Sequence, residues 1–435
     1  MKTIAFILTV SVSVNFAFAQ GLEEDTLSVY LQNAQYQRAI AYIDNQESTK
    51  DLLYQKAFCY KSLNDYLKAI DLLEVLSEEN PNDVPVKLQL ALCYESTLLY
   101  PKGIACYDEL IKIDSANTYF QVQKADLLYR SGKYQDALDT YFKINQDANP
   151  AYREKNIGMC YEKLNQVDSA KIYYYTAWEL EPKDPFLALS LVKIHLKKED
   201  FESALNDSER FLSQDSTHLP MKVLNAFTHY SLNNYEKAAP LFEQCRTEGD
   251  SSVIVNRGLG ISYYFLGNDS LALPYLNQAF LQDTTNMTVL YGLASVHFNL
   301  EQYPEAIACY QKLIEHETPN RNTLYTYIKG MGVTYEKSRL FQEAYSQYMA
   351  ALQYASSLQS MELYNMIANI SENQINEQNL AIHYYEKYKD CLQIYKKSLI
   401  SREIDADVKE IKIMEIENKL TALDGHLDSL KNKIK

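Results

Sequence analysis

The sequence predicts an all-α solenoid of stacked helix pairs, and three observations predict it. Small residues return every 33 or 34 positions, through Ala69, Gly103, Ala137, Ala170, Ala204, Ala238, Ala272 and Ala306. A second series runs in phase about twelve residues earlier, through Ala57, Ala91, Ala125, Gly158, Ala226, Gly260, Ala294 and Gly332. Around both series apolar residues recur at helical spacing. Two small residues per period mean two helices that cross closely. A period of this length belongs to repeat architectures, in which each unit buries its apolar face on its neighbours and no single central core is needed.

The first residues are set apart from this pattern. Lys2, the apolar stretch Ile4 to Phe16 and the small-x-small sequence Ala17-Phe18-Ala19 have the three parts of a secretory signal, so residues 1–19 are expected to be removed before Gln20. No Cys follows that cut, which argues against a lipoprotein anchor, and no later apolar run has the length of a membrane-spanning helix. The expected product is exported and soluble, in the bacterial periplasm, free or attached to an outer-membrane complex. The net charge of -15 and pI of about 5.0 argue against nucleic acid or an anionic membrane as the main ligand.

Seven cysteines in an exported chain would ordinarily suggest disulfides. Their positions argue otherwise. Cys59, Cys93 and Cys160 fill one slot in three repeats, and Cys106 and Cys309 share another. Equivalent slots of stacked repeats lie roughly a helix diameter apart, on the order of 10 Å, beyond the reach of a disulfide. These cysteines read as small buried hydrophobes.

Within residues 151–184, Ile157, Gly158 and Tyr161 form one apolar stripe and Ala170, Tyr174 and Ala177 a second, with Asn165-Gln166 as the turn and Pro182 as the stop. This pattern of small, aromatic, small, aromatic and proline residues resembles the tetratricopeptide repeat. Units in phase begin near Lys50, Val84, Thr118, Ala151, Pro185, Leu219, Val253, Met287 and Tyr325. An earlier unit surrounds Tyr30, Tyr36 and Ala39, and a weaker one surrounds Tyr364, Ala381 and Tyr385. The resemblance implies a right-handed α-solenoid of about ten to eleven helix–turn–helix repeats over residues 20–395. The chain departs from the family in several places. Its single Trp, Trp178, falls near the end of a second helix, and the terminal proline is kept clearly only at Pro81 and Pro182. Pro240 and Pro274 fall inside or near the first turn of second helices, which is expected to shift those starts, and Thr318 to Leu324 lengthen one connection.

The resemblance also implies that the first helix of each pair lines a concave face. Transferring that register gives Tyr54, Phe58, Tyr119, Tyr129, Tyr152, Phe186, Phe227, Tyr230, Tyr264, Phe265, Tyr291 and Phe298 as groove aromatics, interleaved with the cations Lys155, Lys193, Arg257 and Lys329. Aromatic anchors in polar surroundings suit a protein or peptide partner. For any single ring the alternative is packing between neighbouring repeats. Some relatives clamp a terminal carboxylate with a fixed set of Lys, Asn and Arg residues, which no unit here matches.

In residues 396–435 the period changes. Ile413, Ile416, Leu420, Leu423, Leu427, Leu430 and Ile434 alternate three and four apart, the a/d spacing of a coiled coil. Lys412 and Lys419 at g would meet Glu417′ and Asp424′ at e in a parallel homodimer through residues 413–434. The same apolar stripe would equally serve a helix that caps the last repeat, and Gly425 weakens either helix by roughly 1 kcal/mol relative to Ala.

His195, His229 and His297 occupy, one per repeat, the slot held elsewhere by Tyr60, Tyr94, Tyr161, Tyr263 and Tyr335, so they read as core aromatics and no metal is expected. No phosphate loop or nucleophile elbow is present. Neither a cofactor nor enzymatic activity is expected. Asp followed by a hydroxyl residue and an apolar residue or Thr recurs at Thr26, Ser115, Ser169, Ser216, Ser270, Thr284 and Ser429. This tripeptide is similar to the acceptor of a periplasmic bacterial O-glycosylation system, and Asp-Ser is equally an ordinary turn and cap pair. The expected function is that of a cell-envelope adaptor holding a peptide or protein surface in the groove. The alternative is a periplasmic sensor binding a small ligand there.

Overall fold

A computed structural model describes residues 26–145, 149–316, 320–401 and 406–434; the expected signal at 1–19 lies outside the described residues. Among the described residues there are helices and no strands. The helices follow one another as antiparallel pairs, A then B. The pairs are α1 (Thr26–Gln32) with α2 (Tyr36–Ile43), α3 (Lys50–Ser62) with α4 (Tyr66–Glu79), and α5 (Val84–Ser96) with α6 (Tyr100–Ile113). Next come α7 (Thr118–Arg130) with α8 (Tyr134–Lys143), α9 (Pro150–Lys163) with α10 (Val167–Leu180), and α11 (Pro185–Lys197) with α12 (Phe201–Leu212). They continue as α13 (Leu219–Ser231) with α14 (Tyr235–Thr247), α15 (Val253–Phe265) with α16 (Asp269–Gln282), and α17 (Met287–Asn299) with α18 (Tyr303–Glu315). The last are α19 (Arg321–Lys337) with α20 (Phe341–Leu352) and α21 (Ser357–Ile370) with α22 (Gln378–Ser401), followed by α23 (Ala406–Ile434). They form two compact units, one ending at Leu187 and one beginning at Ala188.

The close crossing expected from the small-residue series is present. Ala57, Ala69, Ala91, Ala125, Ala137 and Ala170 are buried in the first unit, and Ala204, Ala226, Ala238, Ala272, Ala294 and Ala306 in the second. A Cβ on Gly158 would lie 2.6 Å from the Tyr174 ring and 3.3 Å from the Ala170 carbonyl oxygen, so only hydrogen fits where α9 meets α10. The seven cysteines are free. His195 and His229 are buried core residues, and the Nδ1 of His195 lies 3.0 Å from Asp200, whereas His297 is only half-buried, with its Nδ1 2.6 Å from Gln302.

Each A–B turn from the first pair to the tenth holds one residue in the left-handed region. It is Gly only at Gly132 and Gly267; elsewhere it is Ala34, Asn64, Leu98, Asn165, Glu199, Asn233, Glu301 or Arg339. The turn closes as at Asp65, whose N–H donates to the Tyr60 carbonyl at 2.9 Å, satisfying a carbonyl that the helix end leaves open.

Two local expectations come out differently. Pro240 and Pro274 stand inside α14 and α16, whose starts at Tyr235 and Asp269 keep the common spacing. The lengthened connection becomes, from Arg321, an extra first turn of α19, which runs 17 residues where α17 runs 13; residues 317–319 lie outside the described residues.

In the C-terminal segment α22 runs past residue 395 to Ser401, and α23 returns against it. Ile416, Leu423, Leu427 and Leu430 are buried in one cluster with Tyr385, Leu392 and Leu399. Glu417 and Asp424, the carboxylates a parallel dimer would use, bond instead to Lys396 and Lys389 of the same chain at 2.5 Å each. Lys431 reaches Glu386 at 2.8 Å. These partners descend along α22 as they ascend along α23, so the charge pattern is met antiparallel and within one chain.

Candidate protein-binding surface

The A helices place the sequence-predicted groove residues by register, and the two units treat them differently. In the first unit the rings find separate local partners. Phe58 meets Tyr36 edge-on at 6.0 Å, and Tyr129 meets Tyr134 at 5.3 Å. Tyr54 and Phe58 line one small cavity, and Tyr119 is half exposed. Tyr152 donates to Asp126 at 2.7 Å, and Tyr141 donates to the same carboxylate. Burial pushes the Asp126 carboxyl above its ordinary value, with those two phenols pulling the other way. Lys155 is already paired, 2.7 Å from Asp184 and 4.6 Å over the Phe186 ring.

In the second unit the rings join. Phe227 stacks on Tyr230 with centroids 5.7 Å apart, Tyr230 meets Tyr235 at 6.0 Å, and Tyr235 stacks on Phe265 at 4.5 Å with planes 7° apart. Phe265 meets Tyr264 at 5.1 Å. Arg257 lies 5.9 Å over Phe227, a cation above the electron-rich face of a ring. Farther along, burial and the nearby Tyr264 raise the Tyr291 phenol above its ordinary value. Tyr291 in turn meets Tyr327 at 5.7 Å and Tyr310 at 6.4 Å. The result is an aromatic ribbon in two runs, Phe227 to Tyr264 across α13, α14 and α15, and Tyr291 with Tyr310 and Tyr327 across α17, α18 and α19. Phe265 is 57% exposed and Tyr291 37%, so the ribbon is open to a partner.

Between α17 and α19 the ribbon borders a groove of about 290 Å³ lined by Tyr291, Phe298, Tyr310, Tyr325, Thr326, Lys329, Gly330 and Val333. Tyr291, Phe298 and Lys329 are groove residues expected from the sequence; Tyr310, Tyr325 and Gly330 are not. Lys193 is exposed on α11, and Lys329 bonds to Glu362 at 2.6 Å.

Sequence reasoning also missed Tyr235 and Tyr303, and a signal existed for both. Tyr66, Tyr100, Tyr134, Phe201, Tyr235, Tyr303 and Phe341 each open a B helix. From that position the ring reaches back to the last turn of its A helix, as Tyr134 does to Tyr129, Tyr235 to Tyr230 and Tyr303 to Phe298.

Family models described as tetratricopeptide repeat match residues 51–83, 156–184 and 257–322. The chain is 24% identical over 267 residues to Superkiller protein 3 of Schizosaccharomyces pombe, covering 57% of this chain and 19% of that protein. It is 23% identical over 205 residues to Lipopolysaccharide assembly protein B of Haemophilus influenzae, covering 45% of this chain and 50% of that one. The chain thus spans between about a fifth and a half of these relatives. Among solved structures it is similar to YrrB, a TPR protein with an unusual peptide-binding site, at 19% identity and a TM-score of 0.38 over 42% of this chain and 91% of that one. A tetratricopeptide repeat protein from Parabacteroides merdae aligns at 14% identity and a TM-score of 0.35, over 65% of this chain and 98% of its own. Tetratricopeptide repeats generally mediate protein–protein interactions. Residues 51–83, 156–184 and 257–322 of this chain are therefore matched as tetratricopeptide repeats, and the described helix pairs on either side follow the same A-then-B order.

Proposed function

We propose that this protein is an adaptor of the bacterial cell envelope that holds a peptide segment or protein surface on the aromatic ribbon of its second unit. The observation that carries the reading is the contact chain from Phe227 to Tyr264, because exposed, mutually supported rings bury large area at little entropic cost. Arg257 and Lys329 set the polar rim. The secretory pattern of residues 1–19 supports export to the periplasm, free or bound to an outer-membrane complex. Thr26, Ser115, Ser216, Ser270, Thr284 and Ser429 are exposed and Ser169 is half-buried, which supports modification at the exposed acceptors. Homodimerisation through residues 413–434 would require α23 to leave its bonds to α22.

The test is affinity capture from native envelope extract by the mature chain, with Tyr264→Ala and Phe265→Ala combined in a parallel variant. A protein retained by wild type and lost from the variant supports the adaptor reading. Equal retention by both removes the ribbon from it. Intact mass of the protein purified from its native envelope reads the other two proposals together, since the mature chain should begin at Gln20 and carry added glycan mass.

A further inference from the structure

We infer that the groove between α17 and α19 is a specificity pocket for an aromatic or bulky aliphatic side chain that has a carboxylate beside it in the partner segment. The inference rests on the peptide-binding reading above and names the chemistry of the partner.

The shape of the pocket comes from a missing side chain. A Cβ on Gly330 would lie 2.7 Å from the Tyr310 ring, so the ring passes under α19 only because residue 330 is glycine. Gly258 and Gly292 hold the equivalent position in α15 and α17, where a Cβ would meet Phe242 at 2.3 Å and Ile261 at 2.8 Å. In three successive A helices, therefore, the residue after Arg257, Tyr291 and Lys329 is a glycine against which a side chain of an earlier helix is packed. At Gly330 this leaves an apolar floor of ring edge and Val333 beneath walls of Tyr291 and Phe298. About 290 Å³ is below the range of most drug-sized sites and suits one large side chain.

The charge preference comes from the rim. Lys329 Nζ sits 2.6 Å from Glu362 Oε1, and Tyr325 donates to the other oxygen of that carboxylate at 3.4 Å. Glu362 is half exposed at 52% of its side chain, so it marks a place where a carboxylate is bound and from which solvent, or a ligand, displaces it. Lys329 is the charged residue among those lining the pocket, and Glu362 is its partner from outside that lining. A lysine whose present carboxylate partner is half exposed selects an acidic segment, which can take that partner's place, over a basic one.

The test uses the full mature chain and three fluorescein-labelled peptides, each with two phenylalanines in a background of Glu, Ser or Lys, read by fluorescence anisotropy. Binding should fall in the order Glu, Ser, Lys. Lys329→Glu should weaken the Glu peptide roughly tenfold, and Glu362→Gln should tighten it roughly two- to fivefold by removing the internal competitor. Thr326→Trp, at an exposed position on the pocket wall, should weaken all peptides that bind. Circular dichroism melts of each variant separate a lost site from a lost fold. Equal affinity for the three backgrounds, or a Glu peptide indifferent to Lys329→Glu and Glu362→Gln, overturns the acidic preference and leaves peptide binding standing. Affinity unmoved by Thr326→Trp overturns the pocket. Failure of folded wild type to bind any of the three overturns the pocket and the peptide-binding reading together.

Discussion

At the scale of single residues, the turns carry strain and one half-buried carboxylate is desolvated. Leu98 holds φ at 60° and is 63% exposed, so its side chain contributes little packing in return for a left-handed backbone. That conformation costs an L-residue roughly 1–2 kcal/mol, against roughly 0.5–1 kcal/mol of extra chain entropy for glycine. Leu98→Gly should therefore raise stability by about 0.5–1 kcal/mol, seen as a higher melting temperature. Asp126 shows the electrostatic counterpart. Burial raises its carboxyl above the unfolded value, so its contribution is fully present below the unfolded value and is lost as pH rises through the folded one. Asp126→Asn keeps an acceptor for one of Tyr141 and Tyr152 and a donor for the other. It should flatten that decline and melt above wild type at neutral pH, in melts taken across the acid range.

At the scale of elements, the α22–α23 hairpin shows how one pattern serves two architectures. The a/d stripe is what a coiled coil needs, and packing against α22 buries most of it within the chain. Leu427 is 4% exposed. Leu427→Ala should cost about 2–4 kcal/mol, measured as a lower urea midpoint of the second unit. The helices of each pair were legible because small residues mark crossings and apolar stripes mark faces. The extra turn of α19 was not, since a lengthened connection and a lengthened helix have the same residue count.

At the scale of the molecule, stacking makes stability local, because each pair contacts its neighbours and little else. Gly158→Ala drives a methyl into the Tyr174 ring and should cost about 1–3 kcal/mol. Hydrogen exchange should show protection lost in α9 and α10 and retained in α17 and α18; uniform loss would mean the array unfolds as one.

The sequence by itself determined the repeat, its phase and the residue types on each face, because a 34-residue period repeats the same local physics many times. It also held the aromatic series at the B-helix starts that completes the ring contacts. Which rings would touch was decided only in the tertiary structure. Tyr235 and Phe265 are thirty residues apart and stack because neighbouring repeats bring their helices together, while Lys155, in the register of Arg257, closes onto Asp184 and Phe186. The apolar groove at Gly330 likewise exists only because the Tyr310 ring comes from another helix. Local spacing fixes the face a side chain occupies; contact between faces depends on how far apart the backbones settle, which is set by residues distant in the chain.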